Sequence, residues 1–362
     1  MTTAHENHAI PAAAATPSPL QTPPLQTRPL KIWLPALATG SGSSVFVQRL
    51  ARGLERQGHT PVVQWFAHAS ELAPWLLGRV PAPAGTDIVH ANTWQGFAFK
   101  RSGIPLVVTE HHYVSHPLLT PLKRPLQRLY HHLLIARFNR WSYAAADAVT
   151  TVSQFCADAM APVLRTPAQV IPNWVDTEAF APSTQPRRPG PFRLLFVGNP
   201  APWKGADILP LLAQRLGSDV EILCMGGLRK GFRQDELPGN MTLLPPRPPE
   251  AMPLAYHEAD AALVPTRYET FGYVAAEAMA CGLPVLGFDR AGTGEICRHE
   301  ETALLAPVDD IDTLERYIRR LLADRALAER LGKAGRQRAL ALYSEEPAIR
   351  AYVSLYQRLR NQ

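Results

Sequence analysis

Long apolar runs are missing from this 362-residue chain: no stretch of about 18 consecutive apolar residues occurs, so no membrane-spanning helix is expected. Cysteine is scarce. Cys156, Cys224, Cys281 and Cys297 are scattered, with no C-x-x-C among them. That argues against a disulfide framework or a zinc site and leads us to expect reduced, buried thiols in a cytoplasmic protein. Charge of one sign is in short supply too. The 37 Lys+Arg against 31 Asp+Glu leave a formal +6, too little over this length to point to nucleic acid. No D-x-D pair ends a strand, since Asp309, Asp310 and Asp312 lie in a late polar turn, and no metal site is expected.

What is present is material for two cores. Hydrophobic residues make up 46 % of the chain, and at roughly 100–200 residues per domain the length suggests two domains. Residues 1–29 stand apart. Pro11, Pro17, Pro19, Pro23, Pro24 and Pro29 punctuate Ala, Thr and Gln with almost no large apolar side chains. Such a segment buries too little surface to offset its ordering entropy. It also lacks the basic start and continuous apolar stretch of a secretory signal, so a disordered tail is expected.

From Lys31 onward short apolar runs alternate with helical patterns. K-I-W-L-P-A-L reads as a first strand, a glycine-rich turn follows, and a helix is expected from about Val45 to Gln57, capped by Gly58. P-V-V-Q-W-F, D-I-V-H-A-N, P-L-V-V-T-E-H and A-V-T-T-V-S continue as strands. The stretch Ala181 to Pro191 is proline-rich and polar, as an interdomain linker is. Beyond it F-R-L-L-F-V-G, V-E-I-L-C-M-G, M-T-L-L-P, A-A-L-V-P and P-V-L-G-F read as five more strands. Strands separated by helices imply right-handed βαβ units and parallel sheets. The expected fold class is therefore α/β, two doubly wound Rossmann-like domains facing a central cleft: an N-terminal domain over 30–182, a linker at 183–191, and a C-terminal domain over 192–345. Residues 346–362 form a last helix that can cross back to the first domain.

The most informative stretch runs from Ala262 to Ile296. A buried strand ends at Pro265, Glu269 and Gly272 lie in the turn, and a helix of small residues carries Glu277. A helix start after a parallel strand offers free N–H groups and partial positive charge to a phosphate. With seven residues between them, the two carboxylates can reach one ligand the length of a sugar nucleotide.

This stretch resembles the E-x7-E signature of the large retaining nucleotide-sugar glycosyltransferase family of GT-B fold (group 1, family 4 type). Further segments match in order: the turn at Gly40 and Gly42, T-E-H-H at Thr109 to His112, V-I-P-N-W-V-D at Val170 to Asp176, V-G-N-P-A-P-W-K-G at Val197 to Gly205, and A-G-T-G-E at Ala291 to Glu295. The resemblance implies that Glu277 accepts hydrogen bonds from the nucleotide ribose. Glu269 faces the donor sugar, near the backbone N–H groups of Phe271 and Gly272. Lys204 contacts the pyrophosphate, His111 stands at the cleft floor, and Gly40 and Gly42 admit substrate closely. Asn199 replaces the family's arginine, with Arg267 or another arginine as the substitute cation, and Trp174 stands where the family has glycine. No cofactor is implied beyond a nucleoside-diphosphate sugar, UDP- or GDP-linked, as co-substrate. The acceptor would be a glycan or lipid-linked molecule, in cell-surface polysaccharide or lipopolysaccharide synthesis. A nucleotide-sugar epimerase of the same shape and a non-catalytic sugar-nucleotide or glycan-binding protein remain alternatives.

One segment lies outside these motifs. Residues 116–141 combine leucines and aromatics with Lys123, Arg124, Arg128, Arg137 and Arg140. A basic amphipathic surface suits peripheral contact with the inner face of an anionic membrane, or an acidic lipid-linked acceptor. A packed helix with a charged outer face is the alternative.

Overall fold

The structure is a computed structural model that describes residues 28–39, 42–186, 189–226, 233, 235 and 237–362. Most of the proline-rich tail and Gly40 lie outside the described residues.

Among the described residues, twelve strands form two parallel sheets. In the first, β1 (Lys31–Leu37), β2 (Thr60–Phe66), β3 (Ile88–Asn92), β4 (Leu106–Glu110), β5 (Ala148–Thr151) and β6 (Gln169–Val170) are ordered β2-β1-β3-β4-β5-β6. In the second, β7 (Phe192–Val197), β8 (Val220–Met225), β9 (Met241–Leu244), β10 (Ala261–Val264), β11 (Val285–Phe288) and β12 (Ala303–Ala306) are ordered β12-β11-β10-β7-β8-β9. The central strands are continuous apolar runs because helices cover both sheet faces, and β10 is buried at all its positions. The helices are α1 (Gly42–Arg56), α2 (Pro125–Tyr130), α3 (Ala136–Ala145), α4 (Gln154–Met160), α5 (Leu209–Leu216), α6 (Met252–His257), α7 (Tyr273–Ala280), α8 (Ala291–Ile296), α9 (Ile311–Ala323), α10 (Arg325–Leu342) and α11 (Glu345–Arg360).

Strand order reverses between β1 and β3 in the first sheet and between β7 and β10 in the second. In open α/β sheets the crevice at such a switch point, outside the carboxyl ends of the strands, is where ligands bind. The candidate residues follow β1, β4, β7 and β10, so the topology alone collects them.

Two details differ from the sequence expectation. Helix α1 starts at Gly42 rather than Val45, because its polar first turn carries no apolar periodicity. Strands β6 and β12 were not expected: each lies at a sheet edge, and they span only two and four residues. The last helix packs on the first sheet. Ile349, Tyr352 and Tyr356 of α11 share a core with Ile32, Leu50 and Leu54. The Tyr356 hydroxyl lies 2.5 Å from His90 Nδ1, and His90 Nε2 lies 2.6 Å from Thr109 Oγ1. This buried polar chain fixes where α11 docks, since leaving any member unpaired would be unfavourable.

Candidate active site

The loops after β7 and β10 are built against each other. Gly205 has φ +70°, and a Cβ there would lie 1.9 Å from the Pro265 carbonyl oxygen, so only glycine lets the β7 loop touch the end of β10. The Arg267 amide donates to the Trp203 carbonyl at 2.8 Å. This contact brings Lys204 to Glu269, and the two form an ion pair with both side chains mostly buried. Burial pushes the Glu269 carboxyl up, but the Lys204 ammonium and its hydrogen bond outweigh this and hold it below its ordinary value.

Gly272 then turns the chain into α7 with φ +98°, another left-handed position. Its missing Cβ would contact the Glu269 side chain at 3.5 Å. One helical turn on, the Glu277 carboxylate accepts from the Tyr256 hydroxyl at 2.8 Å and from Arg49 Nη2 at 3.3 Å. Burial raises the Glu277 pKa, with Arg49 and Tyr256 acting in the opposite direction. Arg49 comes from α1 of the first half. Its guanidinium lies 5.0 Å from the centre of the Tyr273 ring, and its Nη1 donates to the Trp174 carbonyl at 2.6 Å. Both glutamates thus face the gap between the halves.

On the opposing wall, two backbone carbonyls of the loop after β4 accept from the second half: His111 from Thr270 Oγ1 at 2.5 Å and Tyr113 from the Tyr268 hydroxyl at 2.8 Å. His112, not His111, is the histidine that feels the Lys204–Glu269 pair. Burial is the main cause of its lowered pKa of about 4, with Glu269 raising it and Lys204 and Lys123 lowering it. The His111 ring packs 4.3 Å from Phe46, its Nε2 has no partner among the described residues, and burial pushes its pKa to about 3. Both rings are neutral near pH 7.

The other sequence candidates sort differently. Arg267 is a brace: its guanidinium grips Asp207 through two bonds of 2.7 and 2.8 Å and reaches Asp309 at 2.6 Å. Its charge is already used to hold the two loops. Asn199 lies in the β7 loop, where its carbonyl accepts from Ala201. The Phe271 side chain is core, 5.3 Å from the Tyr273 ring, so only its backbone lines the turn. Gly42 opens α1 against the ring of Tyr273. Trp174 is fully buried between Phe46 and Tyr352, filling space that glycine would leave. Among the described residues no group of three or more His, Cys, Asp or Glu side chains is arranged to hold a metal ion.

Sequence reasoning missed three contributors. Arg49 looks like any solvated helix arginine. Glu295 lies inside the noted A-G-T-G-E segment, yet nothing there reveals that its carboxylate accepts from the Gln154 and Phe155 amides at 2.9 and 2.8 Å, across the gap at the start of α4. Glu110, inside T-E-H-H, is buried and accepts from Thr93, Asn139, Tyr143 and the His112 amide. It anchors the histidine loop.

Two family models match in tandem: Glycosyltransferase Family 4 over residues 66–179 and Glycosyl transferases group 1 over residues 179–338. A D-inositol 3-phosphate glycosyltransferase of Nocardia farcinica is 29 % identical over 284 residues, covering 69 % of this chain and 62 % of that protein. One from Rhodococcus erythropolis is 35 % identical over 133 residues, covering 32 % of this chain and 30 % of its own length. The chain thus spans less than two thirds of these curated relatives. The sucrose-phosphate synthase structure from Thermosynechococcus elongatus superposes with a TM-score of 0.77 at 21 % identity, covering 91 % of this chain and 99 % of that one. Anabaena HepE in complex with UDP and glucose gives a TM-score of 0.69 at 17 % identity, covering 91 % and 100 %. These likenesses carry the fold, and the paired models carry the lineage: the chain has the GT-B fold and belongs to the group 1 glycosyltransferases.

Proposed function

We propose that the chain is a retaining glycosyltransferase that moves a sugar from a UDP- or GDP-linked donor to a glycan or lipid-linked acceptor without a metal cofactor. The observation that carries this reading is the Lys204–Glu269 pair at the switch point of the second sheet, with Glu277 on the following helix and His112 opposite. Glu277 accepts from the ribose hydroxyls and Glu269 from the donor sugar. As the anomeric C–O bond to the diphosphate breaks, Lys204 meets the charge that grows on the leaving phosphate. The acceptor hydroxyl attacks the same face, its oxygen forms the new bond, and its proton passes to the departing phosphate oxygen. The Anabaena neighbour was solved with UDP and glucose, so UDP-sugars come first in a donor screen.

The test is transfer by the full chain from a panel of nucleotide sugars, in chelator, with stereochemistry read from the product. Glu277→Ala is expected to weaken nucleotide binding. Lys204→Ala is expected to slow turnover by about 10²–10³-fold, the usual effect of removing one transition-state charge partner, with a smaller effect on binding. Near wild-type turnover in both variants with a verified donor overturns the site assignment. Epimerised donor without transfer supports the epimerase instead, and nucleotide binding without transfer or hydrolysis supports a binding protein.

A further inference from the structure

The segment from Pro125 to Ala145 is one continuous helix in three parts: α2, a π-helical turn over His131–Ile135, and α3. Its inner side buries His131, Ile135, Phe138 and Ser142. Its outer side is not simply charged. Leu126 is 78 % exposed, Leu129 53 % and Leu133 55 %, spaced at three and four residues so that they form one stripe. Arg137 and Arg140 continue that stripe, lining a shallow surface groove with His132, Leu133 and Trp141, and Arg137 lies 4.8 Å from the Trp141 ring centre.

A second element widens the apolar area. Residues 68–79 form two short 3₁₀ turns fastened to this helix by the Tyr130 hydroxyl bond to Glu71 and by Trp75, whose ring centre lies 6.3 Å from that of Phe138. Leu72, Trp75 and Leu76 on these turns are all exposed. Exposed apolar side chains gathered in this way mark a contact surface. The helix carries charge of one sign only, with no Asp or Glu between Glu110 and Asp147, and Glu71 on the turns is mostly covered, bonded to Tyr130 and His68.

We infer that this composite face docks the protein on an anionic lipid bilayer, with the leucines and Trp75 entering the headgroup boundary and the arginines meeting lipid phosphates. The charge selects this occupant over the others. A second copy related by a two-fold axis would set arginines against arginines, with Glu71 already taken up by Tyr130 and His68. A nucleic acid would meet leucines where it needs cations. The inference does not rest on the transfer reading, because lipid binding needs no donor. It does place the two in register: the loop from His111 to Lys123 runs from the gap between the halves to the start of α2, so a docked molecule presents that side to lipid-borne acceptors.

The experiment is co-sedimentation of the full chain with vesicles of phosphatidylcholine alone or with phosphatidylglycerol, at low and high salt, alongside its sedimentation behaviour without lipid. Wild type is expected to prefer the anionic vesicles and to be partly released by salt. Leu129→Glu with Leu133→Glu is expected to lower partitioning by about tenfold or more, with an unchanged melting temperature because both positions are exposed. Arg137→Glu with Arg140→Glu is expected to abolish the anionic preference, whereas Arg319→Gln with Arg320→Gln on α9 leaves it intact. Equal binding to both vesicle types, or undiminished binding by the leucine variant, overturns the inference. A lipid-free dimer that the leucine variant dissociates, without vesicle binding by wild type, overturns it in favour of self-association.

Discussion

Arg49 and Glu277, 228 positions apart in sequence, meet across the gap between the two halves at 3.3 Å. The pair is mostly shielded from water, with side-chain exposures of 18 % and 12 %. Glu277 is also the carboxylate proposed to take the ribose, so its ionisation governs both the contact between the halves and nucleotide binding. Its pKa is raised by burial and restrained by Arg49 and Tyr256. The ionised form therefore dominates above that raised value and is lost as the pH falls through it. Removing Arg49 leaves the carboxylate buried with Tyr256 as its remaining partner.

Arg49→Gln is accordingly expected to destabilise the chain by about 1–2 kcal/mol, less than the loss of a fully buried pair. It is also expected to move the acid limb of nucleotide binding to higher pH. Titration calorimetry with UDP between about pH 5 and 8 reads that limb directly. An acid limb at the same pH in variant and wild type would show that Arg49 does not act on Glu277.

Gly205 supplies a backbone test of how Lys204 reaches Glu269. Its φ of +70° and the 1.9 Å approach to the Pro265 oxygen both exclude a Cβ. Gly58, with φ +80° and nothing within 4 Å of its missing Cβ, has the strain without the clash. Gly58→Ala is expected to lower stability by about 1 kcal/mol and Gly205→Ala by about 3 kcal/mol or more, with a matching fall in turnover only for Gly205→Ala. Equal losses in denaturant melts would remove the argument that this contact positions the lysine.

Much of this architecture is legible in the chain because strand and helix signals are local. K-I-W-L-P-A-L gives β1 and F-R-L-L-F-V-G gives β7. Glu269, Glu277 and Lys204 stand out because each follows a strand that a glycine-bearing turn ends. What the sequence hides depends on the other half of the molecule. Arg49 differs from Arg52 or Arg56 only in what α7 brings to it, and Glu295 from any helix carboxylate only in meeting the start of α4. The order of strands within each sheet, which gathers the site at two switch points, is likewise set by long-range pairing. The apolar face along Pro125–Ala145 shows the same limit: periodicity reveals that leucines and arginines alternate, but not which leucines the first sheet leaves uncovered.

Acid sensitivity supplies a final expectation, because burial lowers the pKa of His59 and His116 and pushes four further histidines far below their ordinary value. His90 and His111 are lowered to about 3, and His112 and His131 to about 4. Unfolded, each has a pKa near its ordinary value of 6.5. Below that value the unfolded chain takes up protons that the folded chain refuses, so stability is complete above about pH 6.5 and falls as the pH drops toward 4 and then 3. At pH 5.5 each of these four histidines accounts for a loss of about 1 kcal/mol relative to pH 7. Glu110 and Glu277, raised by burial, act in the opposite direction, so the contribution is best read as a difference. His131 is the residue to change, since its Nδ1 has no partner among the described residues. His131→Gln is expected to flatten the loss between pH 7 and 5.5 by about 1 kcal/mol in urea unfolding. A variant whose stability falls as steeply as wild type over that interval would mean that His131 is protonated in the folded protein and is not part of the acid response.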